Sequence, residues 1–117
     1  MIDLRKYAEL IRSLVAAENQ KDANWKWSVK SIGKEKVAIR WGYLDYLEET
    51  ANCFFLMLDN EEDGEGNWIW ARTPHGGIIE CYMVAENPNP RIGAEQTIES
   101  GIRSAIEEIA YYAHNRY

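Results

Sequence analysis

The sequence predicts a single α+β domain over residues 1–117, with an antiparallel five-stranded meander that carries the N- and C-terminal helices on one face. Apolar residues recur at helical spacing in both terminal segments, whereas the middle of the chain alternates apolar and polar residues with the period of two of a strand. A chain of 117 residues is long enough to bury a core of its own.

The two predicted helices cover residues 3 to about 20 and about 94 to 115. Asp3 is a suitable N-cap for the first, and Gly101 is expected to weaken the second locally. The apolar stripes comprise Leu4, Tyr7, Ala8, Ile11, Leu14 and Val15 in the first helix, and Ile98, Ile102, Ala105, Ile106, Ile109 and Ala113 in the second. Each stripe predicts one buried helix face.

The five predicted strands lie at 25–30, 36–41, 53–58, 68–72 and 78–84. The segment 53–58 is apolar at every position, which predicts a central strand covered on both faces. Gly76 and Gly77 suit a tight hairpin turn, and the two prolines of the segment 86–93 predict a stiff connector. The segment 42–52 loses the alternation and is predicted to form one or two helical turns.

Composition narrows the classes of function. The formal net charge of −6 disfavours non-specific binding to nucleic acid or anionic membranes. No apolar run reaches the roughly 18 residues of a membrane span, and the N-terminal sequence lacks the pattern of a signal peptide. A cytoplasmic protein is therefore expected, with Cys53 and Cys81 as reduced thiols.

The charges are unevenly distributed along the chain. The segment 21–40 has six basic and two acidic residues, whereas 45–65 has eight acidic residues and no basic one. This asymmetry predicts surfaces of opposite sign on one small domain.

An acidic run stands directly before a Trp-Ile-Trp sequence. Its members are Asp59, Glu61, Glu62, Asp63 and Glu65. The run begins like an EF-hand loop, but Trp70 occupies the position that requires a bidentate glutamate, so no calcium site is predicted. Two alternatives remain: a solvated hairpin tip, or a docking loop that attracts a partner protein with a basic surface.

The five tryptophans form two predicted pairs. Trp25 and Trp27 share one face of their strand, and so do Trp68 and Trp70. Core packing is the first interpretation, since large rings dominate burial. A pair on the helix-free face would instead anchor a protein or stack on a nucleotide base.

The sequence offers little for catalysis. His75 lies in a predicted turn and His114 near the C-terminus, and neither has a second ligand at metal-binding spacing. No nucleophile-elbow, zinc-protease or phosphate-loop motif occurs. We therefore expect no enzyme activity, cofactor or metal; His75 is where acid–base chemistry would be sought.

The order helix–sheet–helix is similar to that of double-stranded-RNA-binding domains. The last helix of that family begins with basic residues, whereas here the segment "GAEQTIESGI" carries Glu95 and Glu99, which disfavours RNA binding. Size, acidity and element order also resemble those of bacterial secretion chaperones, toxin-immunity proteins and phage-encoded inhibitors. No motif of these classes is matched, so the similarity is an analogy of layout and no family is recognised from it.

Two functional hypotheses follow. The first is a non-enzymatic protein-binding module, inhibitor, immunity or chaperone-like, that docks through the acidic run together with Trp68 and Trp70. Self-association as a homodimer is compatible with it. The second is a small-ligand or nucleotide-binding domain whose site residues are Trp25, Trp27, Lys36, Arg40 and Trp41.

Overall fold

The structure of the chain is a computed structural model, which describes residues 2–21, 25–43, 52–60, 67–88 and 95–116. A 3-10 turn at Leu4–Tyr7 leads into α1 (Ala8–Asn19), and the chain ends with α2 (Ile98–Arg116). The strands between them are β1 (Trp25–Ile32), β2 (Lys36–Tyr43), β3 (Asn52–Asn60), β4 (Asn67–Arg72), β5 (Ile78–Ala85) and β6 (Gln96–Thr97).

Asp3 begins the N-terminal helical segment, as its sequence predicts. Its Oδ1 accepts a hydrogen bond from the Arg5 backbone N–H at 3.0 Å. The Arg5 guanidinium bonds to the same carboxylate and is the main reason why the pKa of Asp3 falls to about 2. Leu4, Ile11 and Val15 turn inward and are buried. The predicted apolar stripe is therefore the face with which this segment meets the sheet and α2.

The six strands are ordered β1-β2-β3-β4-β5-β6, which confirms the α+β class but corrects the five-stranded antiparallel meander. Strands β1 to β5 pair antiparallel, whereas β6 pairs parallel with β5 through Val84–Gln96 and Ala85–Thr97. Because β6 has two residues, it leaves no periodic pattern in the sequence. Its pairing depends on which strand the chain reaches before α2 begins, and this is not encoded in the two residues themselves.

Helix α2 begins at Ile98, four residues after the predicted start at 94. Thr97 caps it, since its hydroxyl oxygen accepts a hydrogen bond from the Ser100 backbone N–H at 3.1 Å. Gly101 lies buried where α2 crosses the sheet, and a Cβ there would stand 2.4 Å from a methyl carbon of Val84. The glycine predicted to weaken the helix is thus the residue that permits its close approach to β5.

Both helices pack on the same face of the sheet, as predicted. Helix α1 contacts β1, and α2 contacts β3, β4 and β5. The strand side chains buried beneath them are Trp27, Val37, Ile39, Trp41, Phe54, Leu56, Leu58, Ile69, Ala71 and Val84. The prediction that 53–58 is covered on both faces is wrong for the described part of the chain, whose helices contact one face only. The alternate apolar residues of β3 instead contribute to the surface described below.

Two sequence predictions lie largely outside the described residues. Helical turns are predicted for 42–52, but residues 42–43 belong to β2 and residue 52 belongs to β3. Residues 44–51 are not described. Much of the predicted connector 86–93 is likewise outside. The predicted turn between β4 and β5 is present, and Gly76 has a positive φ of 87° there. Among the described residues, no helix is long and apolar enough to cross a membrane.

Candidate functional site

The sheet face opposite the helices carries a group of apolar side chains from three neighbouring strands. We call this group the outer patch, and its members are Met57, Trp68, Trp70, Ile78, Cys81 and Met83. The strand register aligns them in rows, with Trp70 between Met57 and Cys81 and Trp68 beside Met83. Ile78 is 58% exposed and the others are half-buried.

Trp68 and Trp70 form the centre of the outer patch. Their ring centroids are 6.4 Å apart and their planes are tilted by 39°. The Arg72 guanidinium carbon lies 5.4 Å from the Trp70 ring centroid, a cation–π contact that holds one side of the ring. Two large half-buried rings on a face that no described helix contacts are typical of the anchor residues of a binding surface.

Charges of opposite sign flank the outer patch. Asp59 is exposed and pairs across the strands with Trp68, so a carboxylate stands beside the rings. Lys36 and Arg40 lie on the same sheet face along β2, in register with Met57 and Cys53. The other predicted acidic site residues, Glu61, Glu62, Asp63 and Glu65, fall outside the described residues.

The second pair of described tryptophans belongs to the core. Trp27 is 3% exposed and Trp41 is 4% exposed. Their rings pack with each other and with the ring of Phe54. The ring centroids of Trp27 and Trp41 are 6.4 Å apart, and those of Trp41 and Phe54 are 5.1 Å apart. These indoles fill the interior beneath the helices and present no surface to a ligand.

The described side chains of the predicted ligand site do not lie on one face of the sheet. Lys36 and Arg40 point to the outer face of β2, whereas Trp41 on the same strand points into the core. Successive side chains of a strand point to opposite faces, so the sequence alone separates Lys36 and Arg40, at even positions, from Trp41 at an odd one. Trp25 opens β1 opposite Tyr43, and its side chain is not among those described.

The histidines do not form a reactive centre in the described part of the chain. His75 is exposed in the β4–β5 turn, and His114 is exposed on α2 with its ring 6.2 Å from that of Trp27. No group of three His, Cys, Asp or Glu residues within the described ranges is placed to hold a metal ion. Cys53 and Cys81 are free thiols, and both are half-buried.

Sequence reasoning missed Met57, Ile78, Cys81 and Met83 as neighbours of the two tryptophans. Parity within the strand is the signal that identifies Met57, Cys81 and Met83, and the uninterrupted apolar run 53–58 conceals it in β3. Ile78 has the opposite parity to Cys81 and Met83, and it shares their face because the pairing of β4 with β5 shifts register between Ala71 and Arg72.

No family model, no curated protein sequence and no solved structure matches this chain.

Proposed function

We propose that this chain is a protein-binding module, of the inhibitor, immunity or chaperone-like kind, which docks its partner on the outer patch. The observation that carries the proposal is the position of Trp68 and Trp70, side by side on the sheet face that the described helices leave uncovered. Tryptophan is enriched among residues that dominate binding energy, particularly at the centre of an apolar surface.

The chemistry of the outer patch supports a protein as its partner. The two methionines have flexible, polarizable side chains, which adapt to irregular apolar surfaces. Asp59 at the edge, and the four acids that follow it in the sequence, favour a partner with basic residues around an apolar centre. In this account the rings supply affinity, and the acids increase the association rate.

The double variant Trp68→Ser, Trp70→Ser tests the proposal. Immobilised wild-type protein is expected to retain at least one protein from a lysate of the source cells, and the double variant at least tenfold less of it. The reason is that loss of a single anchor ring costs about 2 kcal/mol or more of binding free energy. Quantitative mass spectrometry of the eluates measures the ratio.

Tyr111→Ser is the matched control. Tyr111 is 68% exposed on α2, on the helical side of the sheet, so its loss should leave retention unchanged. Replacement of Asp59 and the four nearby acids by Asn or Gln should slow association and weaken its salt dependence. Equal retention by the wild type and the double variant would contradict the proposal.

A further inference from the structure

A groove of about 410 Å³ lies on the outer face of β1, β2 and β3, where the hairpin turn begins. Among the residues that line it are Lys30, Ser31, Lys36, Ala38, Cys53 and Phe55. Its volume falls within the range of small-molecule sites, about 300–1,000 Å³.

A local irregularity in strand pairing accounts for the depression in this face of the sheet. The pairing of β1 with β2 shifts register between Val29 and Ser31, which marks a β-bulge. Ala38 lies opposite Ser31 on one side and Phe55 on the other, so a methyl group stands between larger neighbours. The groove is a consequence of the bulge and of this small side chain.

Two ammonium groups border the groove. Lys30 and Lys36 are both exposed, and within the described residues neither has a carboxylate at ion-pair distance. In a chain of net charge −6, two cations that border one groove and have no acidic partner among the described residues favour the binding of an anion there.

Phe55 supplies an aromatic surface in the same groove. The Lys36 ammonium nitrogen lies 4.3 Å from the centroid of its ring. An exposed cation–π contact is weaker than a charge-assisted hydrogen bond to a phosphate oxygen. A bound phosphate would therefore draw the ammonium from the ring and leave the ring open to a planar group.

We propose that this groove binds a nucleoside 5′-monophosphate. The phosphate lies between Lys30 and Lys36, and the base packs against Phe55 over the methyl group of Ala38. A dianionic phosphate matches the two ammonium groups, and a flat base matches the ring and the shallow floor. The site does not use Trp68 or Trp70 and goes beyond the proposed protein-binding function.

Isothermal titration calorimetry with AMP, GMP, CMP and UMP tests the proposal, with the matching nucleosides and inorganic phosphate as comparisons. At least one nucleotide is expected to bind with a Kd below about 1 mM. Its nucleoside and inorganic phosphate should each bind at least tenfold more weakly, because each lacks one half of the recognised chemistry. Binding of all four nucleotides weaker than about 1 mM, or equal binding of nucleotide and nucleoside, would overturn the proposal.

Variants locate the site. The double variant Lys30→Gln, Lys36→Gln should weaken nucleotide binding about tenfold or more. Ala38→Val should weaken it by filling the floor, while valine suits a strand and preserves the fold. Lys26→Gln is the matched control, since Lys26 is exposed on β1, the strand of Lys30, but does not line the groove. Wild-type affinity in the double variant would overturn the proposed nucleotide site. It would not bear on the proposed binding of a protein at the outer patch.

Discussion

A Trp27→Ala variant is expected to lose about 3–5 kcal/mol of its free energy of unfolding, the usual cost of removing a buried aromatic ring. Trp27 is 3% exposed and packs with the rings of Trp41 and Phe54 beneath the helices. Domains of this size are stable by only about 5–15 kcal/mol, so the loss is a large share of the total. Urea denaturation followed by circular dichroism measures it.

Trp70→Ala and Trp27→Phe are the matched controls. Trp70 is half-buried on the outer face, so its removal should cost about 1 kcal/mol, from partial burial and the contact with Arg72. Trp27→Phe keeps a ring and removes an indole N–H that is buried without a hydrogen-bond partner among the described residues. It should cost less than half as much as Trp27→Ala. Equal losses for Trp27→Ala and Trp70→Ala would contradict the assignment of one pair to the core and the other to the surface.

Gly101→Ala is expected to lower the free energy of unfolding by about 2 kcal/mol, although alanine is the better helix former by about 1 kcal/mol. The added Cβ would lie 2.4 Å from the Val84 methyl carbon, well inside van der Waals contact. Val84 is fully buried and β-branched, so its side chain has little freedom to move away. Thermal and urea unfolding both report the loss.

Val84→Ala isolates the cause. Alone it should destabilise the protein by leaving a cavity beneath α2. Combined with Gly101→Ala, the added methyl group occupies part of the space left by the two methyl groups of Val84. The double variant should therefore be more stable than the sum of the two single losses predicts, by at least about 0.5 kcal/mol. Strict additivity would show that the close approach at Gly101 is not the source of the effect.

Much of the fold could be predicted because its signals are local. Helical stripes identify both helices, strand alternation and the apolar run 53–58 indicate the strands β1 to β5, and Asp3 identifies the start of the first helical segment. The parallel strand Gln96–Thr97 could not be predicted, since two residues show no period and their pairing depends on distant Val84 and Ala85.

Part of the grouping of side chains on the outer face can be predicted from the sequence. Parity grouped Trp68 with Trp70, but it could not say whether their face or the other would meet the helices. The same parity places Lys36 and Arg40 opposite Trp41, a conflict that the predicted ligand site overlooked. The run 53–58 concealed Met57, because a segment that is apolar at every position carries no information about which side turns inward.

Protein binding at the outer patch can be tested inside cells of the source organism by photo-crosslinking. The crosslinking residue p-benzoyl-phenylalanine replaces Ile78, which is 58% exposed in the outer patch and leaves both anchor tryptophans in place. The same residue at position 111 on α2 is the control. We predict a discrete protein adduct from position 78 that is absent from position 111. No adduct from position 78, or the same adducts from both positions, would show that the outer patch is not a protein-binding surface.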